Sequence, residues 1–127
     1  LFINEFMASN KTTIEDEFGA FADWIEIYNP NNKPVDLASF YISDDGEDTF
    51  KYQFPRGSKT TIIPALGYML VWADDHSERG ALHTNFKLSS SGEDITLFAP
   101  DSSLVDYLSY GEQQEDVSFG REKDGDD

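Results

Sequence analysis

Carboxylates dominate the residues able to do chemistry. They gather in three polar turns: Asp44, Asp45, Glu47 and Asp48 around Gly46, the pair Asp74 and Asp75, and the run Glu15, Asp16 and Glu17. Ca2+ takes six to eight oxygen ligands, and turns meeting at one end of a fold can pool them. The first turn is therefore the candidate metal site, with Asp44, Asp45, Glu47 and Asp48 as ligands. Its spacing is not that of an EF-hand loop, which alternates its acidic ligands ahead of a glycine and closes on a glutamate. Solvated charge is the favoured account of all three turns, with Ca2+ as the alternative.

Glu5 and Glu26 stand inside apolar runs, where an unpaired buried carboxylate would be costly. Two such groups could serve as acid and base in glycoside hydrolysis. The structural account, a carboxylate turned outward or satisfied by amide donors, is the preferred one. His76 and His83 are the only histidines. Either could be combined on paper with a serine and an aspartate. Yet the chain has no Gly-x-Ser-x-Gly elbow, no His-Glu-x-x-His and no glycine-rich phosphate loop. The aromatics Trp24, Tyr28, Tyr41, Tyr52, Tyr68, Trp72 and Tyr107 could stack on sugar rings, but they recur at strand period within apolar runs, which points to packing.

These groups must be positioned by strands. Asp23-Trp24-Ile25-Glu26-Ile27-Tyr28 alternates with a period of two, putting Ile25 and Ile27 on one face and Trp24, Glu26 and Tyr28 on the other. Both faces carry apolar bulk, so this is a central strand, ended by Asn29-Pro30. Leu1 to Met7 reads as a first strand with Phe2, Asn4 and Phe6 opposite Ile3, Glu5 and Met7. Val35 to Leu37, Phe40 to Ser43, Phe50 to Phe54 and Thr60 to Ile63 follow as short strands, the third with all its aromatics on one face. Leu66 to Ala73 reads as a second central strand. His83 to Leu88 and Asp94 to Phe98 read as a hairpin joined through Ser89 to Glu93, and Leu104 to Tyr110 closes the series. Short strands with turns between them and no helical period describe an all-β sandwich or barrel.

At 127 residues the chain suits one domain. The expected bounds are a β-sandwich over 1–119 and an exposed acidic tail over 120–127. Nine basic against 25 acidic residues give a net charge of −16. That sign opposes nucleic acid and anionic membrane as partners, because both are held by clustered Lys and Arg. The absence of cysteine removes disulfides, thiolate zinc sites and cysteine nucleophiles. No apolar run approaches the length of a membrane span.

The order Ile3-Asn4-Glu5-Phe6, Asp23-Trp24-Ile25-Glu26-Ile27-Tyr28-Asn29, Val35-Asp36-Leu37 and Ile42-Ser43-Asp44 resembles the lamin tail domain in its bacterial secreted form. The likeness continues through Phe54-Pro55, Gly67-Tyr68-Met69-Leu70-Val71-Trp72-Ala73, His83-Thr84-Asn85-Phe86-Lys87-Leu88, Gly92-Glu93, Leu104-Val105-Asp106 and Gly120-Arg121. The resemblance implies an immunoglobulin-like β-sandwich without enzymatic activity. It also implies fold-supporting roles for Glu5, Asp23, Trp24, Glu26, His83 and Asn85. Domains similar to this one stand beside nucleases, esterases and other extracellular units. The expectation is therefore a non-catalytic interaction or anchoring module binding a protein partner. It would belong to a longer secreted or cell-surface bacterial precursor and need no cofactor. A carbohydrate-binding module assisted by Ca2+ is the alternative.

Overall fold

Alternation, turn chemistry and two breaks of register, one between Ile3 and Glu5 and one between Leu97 and Phe98, account for the architecture of the computed structural model, which describes residues 1–8, 14, 16, 18–88, 92–111 and 119–120. Among these residues ten strands follow in order: β1 Phe2–Met7, β2 Asp23–Tyr28, β3 Val35–Asp36, β4 Tyr41–Ser43, β5 Tyr52–Gln53, β6 Ile62–Ile63, β7 Tyr68–Ala73, β8 Glu93–Phe98, β9 Leu104–Tyr110 and β10 Phe119–Gly120. They form one four-stranded sheet, β10-β1-β2-β7, a second, β5-β4-β8-β9, and the small pair β3-β6, all antiparallel. Residues 121–127, most of the expected tail, lie outside the described residues, and Gly120 pairs with Glu5.

The core lies between the two large sheets. Ile25 and Ile27 of β2 and Val71 and Ala73 of β7 meet Ile42 of β4 and Ile95 and Leu97 of β8. Full burial of each of these isoleucine, leucine and valine side chains contributes about 1.5–3 kcal/mol. The sandwich closes at one side where Asp106 of β9 accepts the Ile3 backbone N–H at 2.8 Å and Tyr110 packs on Phe6 with ring centroids 4.4 Å apart. The result is the all-β, immunoglobulin-like sandwich expected from the sequence.

Four readings are corrected. The register of β1 slips between Ile3 and Glu5, so Ile3 and Phe6 both enter the core, which strict alternation forbids; the extra residue of the bulge turns one strand end over. β7 is an edge strand, not a central one, although it flanks β2 through all six of its residues. Residues His83 to Leu88 make only isolated bridges, His83 to Trp72 and Lys87 to Asp74. The hairpin is therefore β8 with β9, because the 83–88 segment is used to cover the β7 edge. Finally, Phe50 is turned away from Tyr52 and Phe54: those two are buried, whereas Phe50 sits in a turn and is exposed.

The outer face of the first sheet carries a second, smaller cluster. Met7, Trp24 and Trp72 stand in one cross-strand row and are buried beneath Ile14, Ala22 and Leu70. The two tryptophans are thus core residues, as their strand spacing indicates, but on the far side of the sheet from the main core. The neighbouring row is Glu5, Glu26 and Leu70. Both glutamates face outward, and Glu26 accepts the Asn4 side-chain amide at 2.9 Å.

Candidate functional site

Where β7 ends, the chain gathers its most concentrated chemistry. Trp72 donates its N–H to Leu82 O at 2.7 Å and accepts from Thr84 N at 2.9 Å. These two bonds pin His83 beside the strand and direct its ring under the sheet edge, where it is 1% exposed. Its Nδ1–H donates to Asp74 Oδ2 at 2.5 Å, a charge-assisted geometry because the carboxylate can only accept. The other oxygen of Asp74 accepts the His76 backbone N–H at 3.0 Å.

Asp16 completes the group from the opposite side. Its Oδ1 accepts the N–H groups of Phe18 and Ala20, each at 2.9 Å, an Asx-type turn that fixes the side chain. Its Oδ2 is buried with no hydrogen-bond partner. One donor atom each from Asp16, Asp74 and His83 lie within 4.8 Å of one another. The Arg79 guanidinium stands 3.8 Å from Asp16 Oδ2 and 4.0 Å from Asp74 Oδ2, supplying charge without a hydrogen bond. Phe18 lids the group, edge-on to His83 at 5.7 Å and beneath Arg79 at 5.5 Å. A cleft of about 280 Å3 opens alongside, walled by Asp23, Asp74, His76, Arg79 and Lys87. Tyr52 braces the loop from below by donating to Ala81 O at 2.8 Å. Burial, and then the negative Asp74, push the Tyr52 phenol above its ordinary value.

Such a set can orient a histidine or hold a cation. It is poorly placed for hydrolysis. The Thr84 hydroxyl is committed to Phe86 O at 3.0 Å, and neither His83 nor Asp16 lines the cleft. The family resemblance marks His83 as a fold-supporting residue, but nothing in the sequence joins it to Asp16 and Asp74. The available signal was the presence of both aspartates in acidic turns; their meeting is a matter of tertiary structure and not of spacing.

The other acidic turn forms a separate cleft of about 580 Å3, lined by Asp44, Asp45, Gly46, Lys51, Asp94 and Tyr110. Ser43 organises it, donating to Asp48 O at 2.5 Å and accepting Asp45 N at 3.0 Å. Asp45 Oδ1 accepts Glu47 N at 2.9 Å. The Lys51 ammonium donates to Asp44 at 2.9 Å. That hydrogen bond, aided by the charges of Asp44, Asp45 and Asp48 and opposed by partial burial, holds Lys51 above the usual lysine value. Of the predicted ligands, Asp44 is therefore matched by a cation of the chain itself, while Glu47 and Asp48 do not line this cleft. Glu15 and Glu17 lie outside the described residues.

The expected supporting residues hold long-range contacts. Asp23 accepts Leu88 N at 3.1 Å, Asn85 donates to Lys51 O at 2.8 Å, and Trp24 fills the outer cluster. Glu5 and Glu26 are cross-strand neighbours on the outside of the first sheet, and neither lines either of the two clefts.

A third feature faces solvent. On the outer side of the second sheet, Tyr41 pairs with Phe98, and Phe98 with Leu104. Phe50 packs edge-on against Tyr41 and Phe98 at 4.7 and 5.6 Å, and Tyr107 stands across from Thr96. Phe50, Leu104 and Tyr107 are 49, 55 and 57% exposed.

No curated protein and no solved structure matches the chain. The pattern of the Lamin Tail Domain family matches residues 1–112, a span holding both faces of the sandwich from β1 through β9. Domains of that family are non-enzymatic, immunoglobulin-like interaction modules. The match covers nearly all of the sandwich, and the chain belongs to the Lamin Tail Domain family.

Proposed function

We propose that this domain is a non-catalytic module that anchors a larger secreted or surface-bound bacterial protein by binding a protein partner through the outer face of its second sheet. The observation that carries the reading is the aromatic strip of Phe50, Tyr41, Phe98, Leu104 and Tyr107, which leaves large apolar side chains in water on an otherwise strongly charged molecule. Exposed apolar surface of this kind, rimmed by polar residues, marks interaction sites, and tyrosine and phenylalanine are favoured anchors in them. The net charge of −16 makes a partner with a basic rim the natural complement. The extracellular setting rests on the resemblance to the secreted form of the family.

Ring geometry favours protein over glycan. The pairs in the strip meet at 71° and 64°, and Tyr28 and Tyr68, on the first sheet, are tilted by 31° with ring centroids 5.0 Å apart. A flat platform for successive sugar rings needs aromatic rings lying in one plane, and these pairs do not offer that. The test is to immobilise the domain and present purified surface and secreted proteins in one arm and a glycan panel in the other. Saturable protein binding, insensitive to EDTA and weakened about tenfold or more by Tyr107→Ser or Leu104→Ser at unchanged melting temperature, is expected. Glycan binding abolished by EDTA would replace this reading with the Ca2+-assisted carbohydrate one. Silence in the protein arm, or binding indifferent to both substitutions, would overturn it.

A further inference from the structure

We infer that Asp16, Asp74 and His83 form a site for one divalent transition-metal ion of the zinc class, which staples the segment around Asp16 to the turn that follows β7. The inference is independent of the aromatic strip. It begins with an unsatisfied atom: Asp16 Oδ2 belongs to a side chain with no exposure at all and accepts no hydrogen bond. A buried carboxylate oxygen without a donor is costly, and the turn that uses Oδ1 leaves Oδ2 no freedom to seek water. An oxygen of the Asp16 carboxylate lies within 4.8 Å of donor atoms of Asp74 and His83, whose side chains are 4% and 2% exposed.

The donor set selects the ion. One imidazole nitrogen and two carboxylate oxygens suit Zn2+ and its neighbours, whereas Ca2+ wants six or more oxygens and no nitrogen. Zinc bonds of about 2.0–2.2 Å in a tetrahedron set two ligands of one ion about 3.4 Å apart, so the three atoms, already within 4.8 Å of one another, need to shift by at most about 1.5 Å, the His83–Asp74 contact opening as Asp16 draws in. The ion would take the place of the proton between His83 Nδ1 and Asp74 Oδ2, leaving a fourth position for water. Arg79 is the incumbent cation, but at 3.8 and 4.0 Å it is too distant to donate, and its partly exposed side chain can withdraw into the cleft it lines. In a chain without cysteine, such an ion would do the cross-linking that a disulfide does elsewhere.

The experiment uses the chelator-treated domain titrated with ZnCl2, and in parallel with CoCl2, by calorimetry, thermal unfolding and NMR. The expected result is one ion per chain, a raised melting temperature, and Co2+ broadening centred on the His83 ring and the Asp16 amide. Asp16→Asn, which keeps the Oδ1 acceptor of the turn, should weaken binding by more than about 100-fold, since even outer-shell partners are worth 10- to 100-fold. Asp44→Asn, in the separate acidic cleft, should leave binding unchanged, and Arg79→Ala should tighten it. No uptake at tenfold excess, undiminished uptake by Asp16→Asn, or broadening centred on residues 44–48 would each overturn the site; the NMR arm needs no variant and so decides even if a substitution unfolds the domain.

Discussion

Tyr52 shows how a single residue couples the core to the site. Its ring is buried against Phe54 at 5.4 Å, while its hydroxyl crosses to Ala81 O and braces the loop that carries His83. Tyr52→Phe keeps the packing and orphans a backbone carbonyl, so it should cost about 1–2 kcal/mol at neutral pH, measured by denaturant unfolding. The same residue sets an alkaline limit. Burial and Asp74 hold the folded-state phenol above its ordinary value, which lies near 10 in the unfolded chain. The unfolded chain therefore releases the Tyr52 proton first. This stabilising contribution is complete below about pH 10 and is lost as pH rises through the raised folded value. Tyr52→Phe should flatten that limb; an unchanged alkaline slope would show that Tyr52 is not its source. At this scale the sequence was partly legible. His83 could be recognised as a fold histidine through the motif His83-Thr84-Asn85-Phe86 that resembles the family. Its aspartate partners could not, because residues 16 and 74 are brought together by chain path and not by spacing.

Elements obey local chemistry where neighbours permit it. β2 and β7 follow their period of two through every residue, and their face assignments were readable for that reason. β1 was not, because a bulge reverses facing without any sequence signal beyond its polar Asn4 and Glu5. The 83–88 segment has a strand-like composition but is spent on covering an edge, a competition decided by tertiary structure. The β8-β9 pairing depends on a close approach at Gly92, which has φ of +118°, and where an added Cβ would lie 2.6 Å from Tyr110 O and 3.0 Å from Gly111 Cα. Gly57 also has a positive φ, +84°, but open space around it. Gly57→Ala should therefore cost only the backbone conformation, about 1–2 kcal/mol. Gly92→Ala adds a clash with main chain that cannot move aside, and should cost clearly more. Equal losses in the two variants, measured by chemical denaturation, would mean that backbone conformation alone decides.

For the whole molecule, charge is the property that sequence states most plainly and structure refines. Twenty-five acidic residues against nine basic ones cannot be neutralised internally. The described ion pairs engage Lys51, Arg79 and the histidines, while Glu5 and Glu26 stand side by side across β1 and β2. Like charges in directly opposed positions are destabilising by about 0.2–1 kcal/mol, so Glu5→Gln should raise stability by that order. The same repulsion should make the folded domain gain from salt. Between 0.01 M and 0.15 M ionic strength the Debye length falls from about 30 Å to about 8 Å, which screens most repulsion between separated surface carboxylates but leaves the buried Asp74–His83 contact nearly intact. The melting temperature should climb steeply over that range and level off above it, with a smaller climb in Glu5→Gln. A fall in melting temperature with NaCl would instead mean that the few ion pairs outweigh the excess of negative charge, and that the acidic surface stabilises the domain by an arrangement more ordered than its composition implies.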